Sequence, residues 1–186
     1  VTAVDGGRSV DTTMGLTPLE GLMMGTRSGS VDPGVLLHLL ESGKLSPVEL
    51  RRALEHESGL KGVSGLGSDM RQVQEAAGLG DKRAELALAM FIRRSALAVG
   101  AAATSLNSLD GVIFTGGIGE NSSHVRAAAC RDMQWAGIEL DEARNGQVDG
   151  ETEISAGGSR VAVWVVPTNE ELVIARAARK FLCAQS

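Results

Sequence analysis

The chain has 186 residues, enough for one large domain or two small ones with a sizeable core. Its net charge of -5 gives nucleic-acid binding no electrostatic support, and 3% aromatic residues with no Tyr are too few for base-stacking platforms. Cys130 and Cys183 lie far apart and outside any metal or disulfide motif, which suits a reducing, cytoplasmic compartment.

Residues 1–4 and 8–11 flank Asp5-Gly6-Gly7 and predict a β-hairpin with a glycine turn. The chain starts with Val and inside this strand pattern, as a processed or truncated piece would. Residues 18–24 predict one or two helical turns, with Thr17 as cap and Pro18 first. Residues 26–33 form a polar loop carrying Arg27, and 33–41 a short helix closed near Gly43. Ser46-Pro47-Val48-Glu49 is a capping box with proline in the first turn, opening a helix to about His56. Residues 59–67 read as a glycine-rich loop, and 69–77 as a helix ended by Gly78.

The longest predicted helix covers 81–105. Charges crowd its first half and alanines its second, which allows close packing on a sheet or a partner helix. Arg93 and Arg94 interrupt its apolar run, so no membrane span is expected. The strand at 112–114 follows, then a helix over 120–133, an irregular stretch to 151, strands near 154 and over 160–166, and a closing helix over 169–181. Alternation of strands and helices predicts an α/β layered domain with a mixed sheet. There is no internal repeat, low-complexity segment or linker.

Chemistry concentrates in four places. The first is Val112-Ile113-Phe114-Thr115-Gly116-Gly117-Ile118-Gly119-Glu120-Asn121. A buried strand, a glycine-rich turn and a helix bring backbone N–H groups towards a phosphate or nucleotide, although the same pattern serves as a tight corner. The second is Pro167-Thr168-Asn169-Glu170-Glu171, where a buried strand hands over to a helix, the usual ligand side of an open α/β sheet. Thr168 and Glu171 are spaced as a capping box, so Glu171 reads as a cap. Glu170 is left over, equally readable as a first-turn carboxylate or as a Mg²⁺ holder. The third is Gly25-Thr26-Arg27-Ser28-Gly29, whose arginine is either a solvated charge or a clamp on phosphate oxygens. The fourth is Ser68-Asp69-Met70-Arg71, a helix start or a polar loop beside a nucleotide. His38, His56 and His124 lie on helix patterns without metal-ligand spacing.

These motifs together resemble the acetate kinase family. The resemblance runs through residues 10–21, Gly25 to Gly29, Asp32-Pro33, Ser68 to Arg71, Phe114 to Asn121 and Pro167 to Leu172, in the family's order along essentially the whole chain. It implies an actin-like, ribonuclease-H-like α/β domain with a mixed sheet flanked by helices. Residues 1–186 would be the C-terminal, nucleotide-binding domain, without the N-terminal one. The implied reaction is reversible phosphoryl transfer between ATP and acetate, giving ADP and acetyl phosphate, with Mg²⁺ and a cytoplasmic homodimer. By match of position, Arg27 would stabilise the transferring phosphoryl group. Asp69, Met70 and Arg71 would contact adenosine, as would Gly117, Ile118, Gly119, Glu120 and Asn121. Glu170 would be the Mg²⁺-associated glutamate. The Gly65-Leu66-Gly67-Ser68 stretch departs from the small hydroxyl residues the family more often has before Asp69. The resemblance leaves two alternatives, a catalytically silent module that binds nucleotide or dimerises, and a kinase for propionate or butyrate.

Overall fold

A computed structural model describes residues 1–183, apart from the side chains of Glu170 and Val173. The chain opens with a hairpin of β1 (Thr2–Asp5) and β2 (Arg8–Thr12). Asp5 pairs with Arg8, so the turn is the two residues Gly6 and Gly7, both at positive φ, as a tight hairpin turn of this length demands. Five helices follow: α1 (Pro33–Glu41), α2 (Pro47–His56), α3 (Gly59–Ser64), α4 (Met70–Gly78) and α5 (Lys82–Ala103). Strand β3 (Gly111–Phe114) leads into α6 (Gly116–Asn121) and α7 (Ser123–Asp132). A short 3-10 turn, α8 (Glu142–Gly146), β4 (Thr152–Glu153), β5 (Ala162–Val165) and α9 (Glu170–Cys183) complete the order.

The second sheet is mixed, as expected. β5 lies in its centre, parallel to β3 and antiparallel to the edge strand β4. The β3–β5 register, Gly111 with Ala162 through Phe114 with Val165, ends both strands side by side. Their continuations, Thr115 and Pro167-Thr168, therefore emerge together at one edge.

Two apolar clusters form the core. One joins the sheet residues Val112, Val163 and Val165 to Ala129 and Cys130 of α7 and to Met133 just after it. The other is helical and gathers Leu60, Met70, Val73, Ala87 and Phe91. Helix α5 contributes Ala96 to the first and Ala84, Ala87, Leu88 and Phe91 to the second, so it ties the two together. By length and composition α5 is apolar enough to cross a membrane despite Arg93 and Arg94, contrary to the expectation; here it packs against α3, α4 and α7.

Several helix starts are capped locally. Asp32, Asp69 and Asp81 cap α1, α4 and α5, and Ser46 with Glu49 closes a complete capping box on α2. Three expectations fail. Residues 18–24 form turns and bends, because Gly21 is held at φ +98, outside helical space. Residues 59–64, expected as loop, form α3. Leu60 is fully buried there, and the amides of Leu60 and Lys61 donate to the carbonyls of Met24 and Gly25, so tertiary contacts outweigh poor helix propensity. The glycine run 116–119 belongs to a helix rather than to a turn, and the helix expected over 120–133 is broken at Ser122.

Candidate functional site

The paired strand ends open into a cleft of about 540 Å³ lined by Gly116, Gly117, Glu120, Thr168, Asn169 and Glu171. Glu120 organises it. Its Oε1 accepts from the amide of Gly116 at 2.7 Å, the amide of Thr168 at 2.9 Å and the Thr168 hydroxyl at 3.1 Å. The Thr115 and Thr168 hydroxyls bond to each other. One carboxylate oxygen thus straps the loop after β3 to the loop after β5. The Thr168 amide, then the Gly116 amide and the two threonine hydroxyls, hold the Glu120 carboxyl below the usual carboxylate range against the opposing effect of desolvation.

The rest of the second segment serves geometry. A Cβ on Gly119 would stand 3.4–3.6 Å from Phe114, an ordinary van der Waals contact, so α6 packs back on the end of β3 at a spacing that does not itself require glycine. Ile118 packs against the helical core, and the Asn121 amide donates to the Gly117 carbonyl at 2.8 Å. Ser122 ends α6 and caps α7 by accepting from the Val125 amide.

On α4, Met70 is buried in the core, while Asp69 and Arg71 form an exposed pair with contacts of 2.7–3.2 Å. The Arg71 guanidinium holds the Asp69 carboxyl below its ordinary value. The elements carrying residues 69–71 and 117–121 are joined, because Gln74 of α4 donates to the Ser122 hydroxyl at 2.7 Å.

Arg27 is half-buried in a loop pinned on both sides. Ser28 donates its amide to Leu54 of α2, and the amides of Ser58 and Leu60 donate to Thr26 and Met24. Gly25 lies so close to Ser68 that a Cβ would meet it at 2.9 Å, which sets this loop beside the start of α4. Among the described residues the Arg27 guanidinium has no hydrogen-bond or ion-pair partner.

The expected capping box of Thr168 with Glu171 is not formed. The cap of α9 is Asn169, whose Oδ1 accepts from the Leu172 amide at 2.9 Å, since the Thr168 hydroxyl is engaged by Thr115 and Glu120. Glu171 is released to line the cleft. The Glu170 side chain, expected at Mg²⁺, lies outside the described residues. Among the described residues no three His, Cys, Asp or Glu side chains gather as a metal centre. A Mg²⁺ ion held by one or two carboxylates and phosphate oxygens needs no such cluster, and the carboxylate of Glu171 at the cleft is a donor of the kind it takes. Thr115, Thr168 and Asn169 were legible only as strand-end and cap residues.

Comparison with known proteins follows the same lines. The model of the acetokinase family matches residues 1–176. The chain belongs to the acetokinase family. It is 54% identical over 180 residues to an acetate kinase of Synechococcus sp., covering 97% of this chain and 44% of that protein. It is 50% identical to one of Deinococcus deserti, covering 100% and 47%. Among solved structures it superposes on Porphyromonas gingivalis acetate kinase with a TM-score of 0.90 at 43% identity, covering 97% and 46% of the two chains. A propionate kinase from Francisella tularensis gives 0.87 at 41%, covering 94% and 44%. The mixed α/β architecture is therefore the actin-like one of these kinases. The chain spans less than half the length of the acetokinase relatives it matches.

Proposed function

We propose that the chain is the C-terminal, nucleotide-binding half of an acetate kinase that transfers a phosphoryl group reversibly between ATP and acetate, giving ADP and acetyl phosphate. The observation carrying this reading is the cleft at the paired ends of β3 and β5, where the segments 116–121 and 168–171 meet. It is supported by about 50% identity to acetate kinases along the chain.

Phosphoryl transfer requires little covalent chemistry from protein groups; it requires positioning and neutralisation of charge on the phosphoryl oxygens. In this reading Asp69, Met70 and Arg71, with residues 117–121, bound the adenosine. Arg27 turns its unpartnered guanidinium to the transferring group, where its planar fork matches two oxygens. Glu170, with Glu171 from the cleft lining, would hold Mg²⁺, which would supply neutralisation of charge on phosphate oxygens. The Glu120 strap keeps the two loops at a fixed spacing before nucleotide arrives, so less ordering is needed on binding. The acid is acetate in this reading; a solved propionate kinase at 41% identity favours propionate as the second candidate. We also read the enzyme as a cytoplasmic homodimer without nucleic-acid or membrane partners.

The test joins this chain to the N-terminal half of the 54%-identical relative and measures acetyl phosphate formation from MgATP and acetate. Turnover that disappears in Arg27→Ala is expected, with the chain alone binding MgADP but inactive. A folded joined protein that binds MgADP and forms no acetyl phosphate would refute the kinase reading and leave a nucleotide-binding module.

A further inference from the structure

Arg126 lies in α7, behind the cleft, and is 2% exposed. A buried guanidinium normally needs a carboxylate. This one bonds only to neutral oxygens. Its Nε donates to Asn145 Oδ1, one terminal nitrogen donates to the carbonyls of both Gly119 and Glu120, and the other donates to the Asn145 carbonyl, all at 2.8 Å.

Two of those acceptors belong to the last turn of α6. The final carbonyls of a helix have no partner within it and carry its negative partial charge, so a cation there is stabilising. α6 needs the help more than its neighbours. It has six residues, three of them glycine, too few and too flexible to persist unaided. The far side of the contact is Asn145 of α8, itself 2% exposed, whose side-chain amide donates to Ser123 at 2.9 Å. Two other titratable groups bear on this site, the Glu142 carboxylate of α8, which acts on the Cys130 thiol, and that thiol itself, one turn along α7. Burial pushes it up to about 12, so it stays neutral and leaves the arginine charge directed at the carbonyls.

We propose that Arg126 is a positioning residue that clamps the carbonyl end of α6 to α7 and α8, so that the backbone of Gly117 to Asn121 meets the nucleotide in one fixed conformation. This rests on the nucleotide-binding reading above. Arg126 reaches none of the cleft-lining side chains; it acts through α6. A lysine keeps the charge but offers a single donor head, which cannot span the Gly119, Glu120 and Asn145 acceptors at once.

The test compares the 186-residue chain with Arg126→Lys, with the milder Asn145→Ser, and with Met133→Ala, a core truncation that touches no part of α6. Three quantities are read: MgADP affinity by calorimetry, hydrogen exchange at the amides of Glu120, Asn121 and Ser122, and global stability in urea. Arg126→Lys is expected to weaken MgADP binding about tenfold, the scale of one hydrogen bond to a charged group. It should also speed exchange at those amides beyond that of Met133→Ala at matched stability, with Asn145→Ser intermediate. Wild-type binding with Arg126→Lys indistinguishable from Met133→Ala would overturn the clamp alone. A folded wild-type chain that binds no MgADP would overturn the nucleotide reading, and this inference with it.

Discussion

Gly59 controls the Arg27 loop from 32 positions away in sequence. It opens α3 at φ +63, and a methyl there would stand 2.1 Å from the Met24 carbonyl oxygen and 2.7 Å from that of Arg27. The Met24 oxygen would have to retreat by about 1 Å to reach even 3.0 Å, the lower limit of real Cβ contacts. Both oxygens are already engaged, by the amides of Leu60 at 2.9 Å and Met24 at 3.0 Å, so retreat would also strain the bonds that hold the loop. A left-handed backbone costs an L-residue about 1–2 kcal/mol, and overpacking adds about 1–3 kcal/mol. Gly59→Ala should therefore lose roughly 2–5 kcal/mol, against a typical total of about 5–15 kcal/mol. Displacing a positioned group by about 1 Å can lower a rate about 10²-fold. The expected result in the joined protein is an unfolding free energy in urea lowered by that amount and turnover down by about 10², with nucleotide affinity changed far less, because Arg27 is assigned to the phosphoryl group. Gly59→Asn separates the two causes. Asparagine tolerates positive φ, so it should be rescued if the backbone angle dominates and equally impaired if the collision dominates. A Gly59→Ala protein within about 0.5 kcal/mol of wild type, with unchanged turnover, would refute the reasoning.

Three more predictions stand on the site. Arg27→Ala in the joined protein should lower turnover about 10²–10³-fold with little effect on MgADP affinity, the scale for removing one preorganised charge-stabilising donor; steady-state kinetics with calorimetry checks it, and unchanged turnover would remove Arg27 from the reaction. The Glu120 carboxyl is held low in the folded state, so its contribution is fully present above the unfolded value of about 4.3 and is lost as pH falls through the lower folded value. NMR shifts of the Gly116 and Thr168 amides should therefore share one midpoint below that of an unfolded glutamate, and a midpoint at or above it would contradict the strap. Asn169→Ala should destabilise the chain by about 0.5–2 kcal/mol as a lost helix cap, while Glu171→Gln leaves the urea midpoint alone and acts only on Mg²⁺-dependent nucleotide binding; equal effects on stability would restore the capping box.

What the sequence made legible was what is decided within a few residues. Asp69 is readable as a helix start because a short acidic side chain reaches an amide two positions on, and Asp32 and Asp81 do the same for α1 and α5. Ser46 and Glu49 are similarly self-contained. The sheet partners β3 and β5 were readable as apolar runs, and their motifs located the cleft. What escaped depends on distant partners. α3 exists because Leu60 is buried among Met70, Val73 and Phe91, none of them near it in sequence. Thr168 and Asn169 are both good caps, and only the remote contact with Thr115 and Glu120 decides between them. Arg126 looks like any helical surface charge until Asn145 and the end of α6 surround it. The one local signal was its place on the same helical face as Ala129 and Cys130, both buried.

The carboxylate strap has a consequence for ionic behaviour. With Glu120 and Glu171 at its walls, the cleft presents negative charge to an incoming polyphosphate. If the cleft takes a nucleotide as proposed, bare ATP would be repelled at close range, where screening at physiological salt, with a Debye length of about 8 Å, is incomplete. A nucleotide already carrying a divalent cation arrives with much of that repulsion cancelled. On the proposed nucleotide-binding reading, the cleft would thus discriminate between ionic forms of one molecule before any contact with its base or sugar, and added salt should narrow the difference by favouring the bare form.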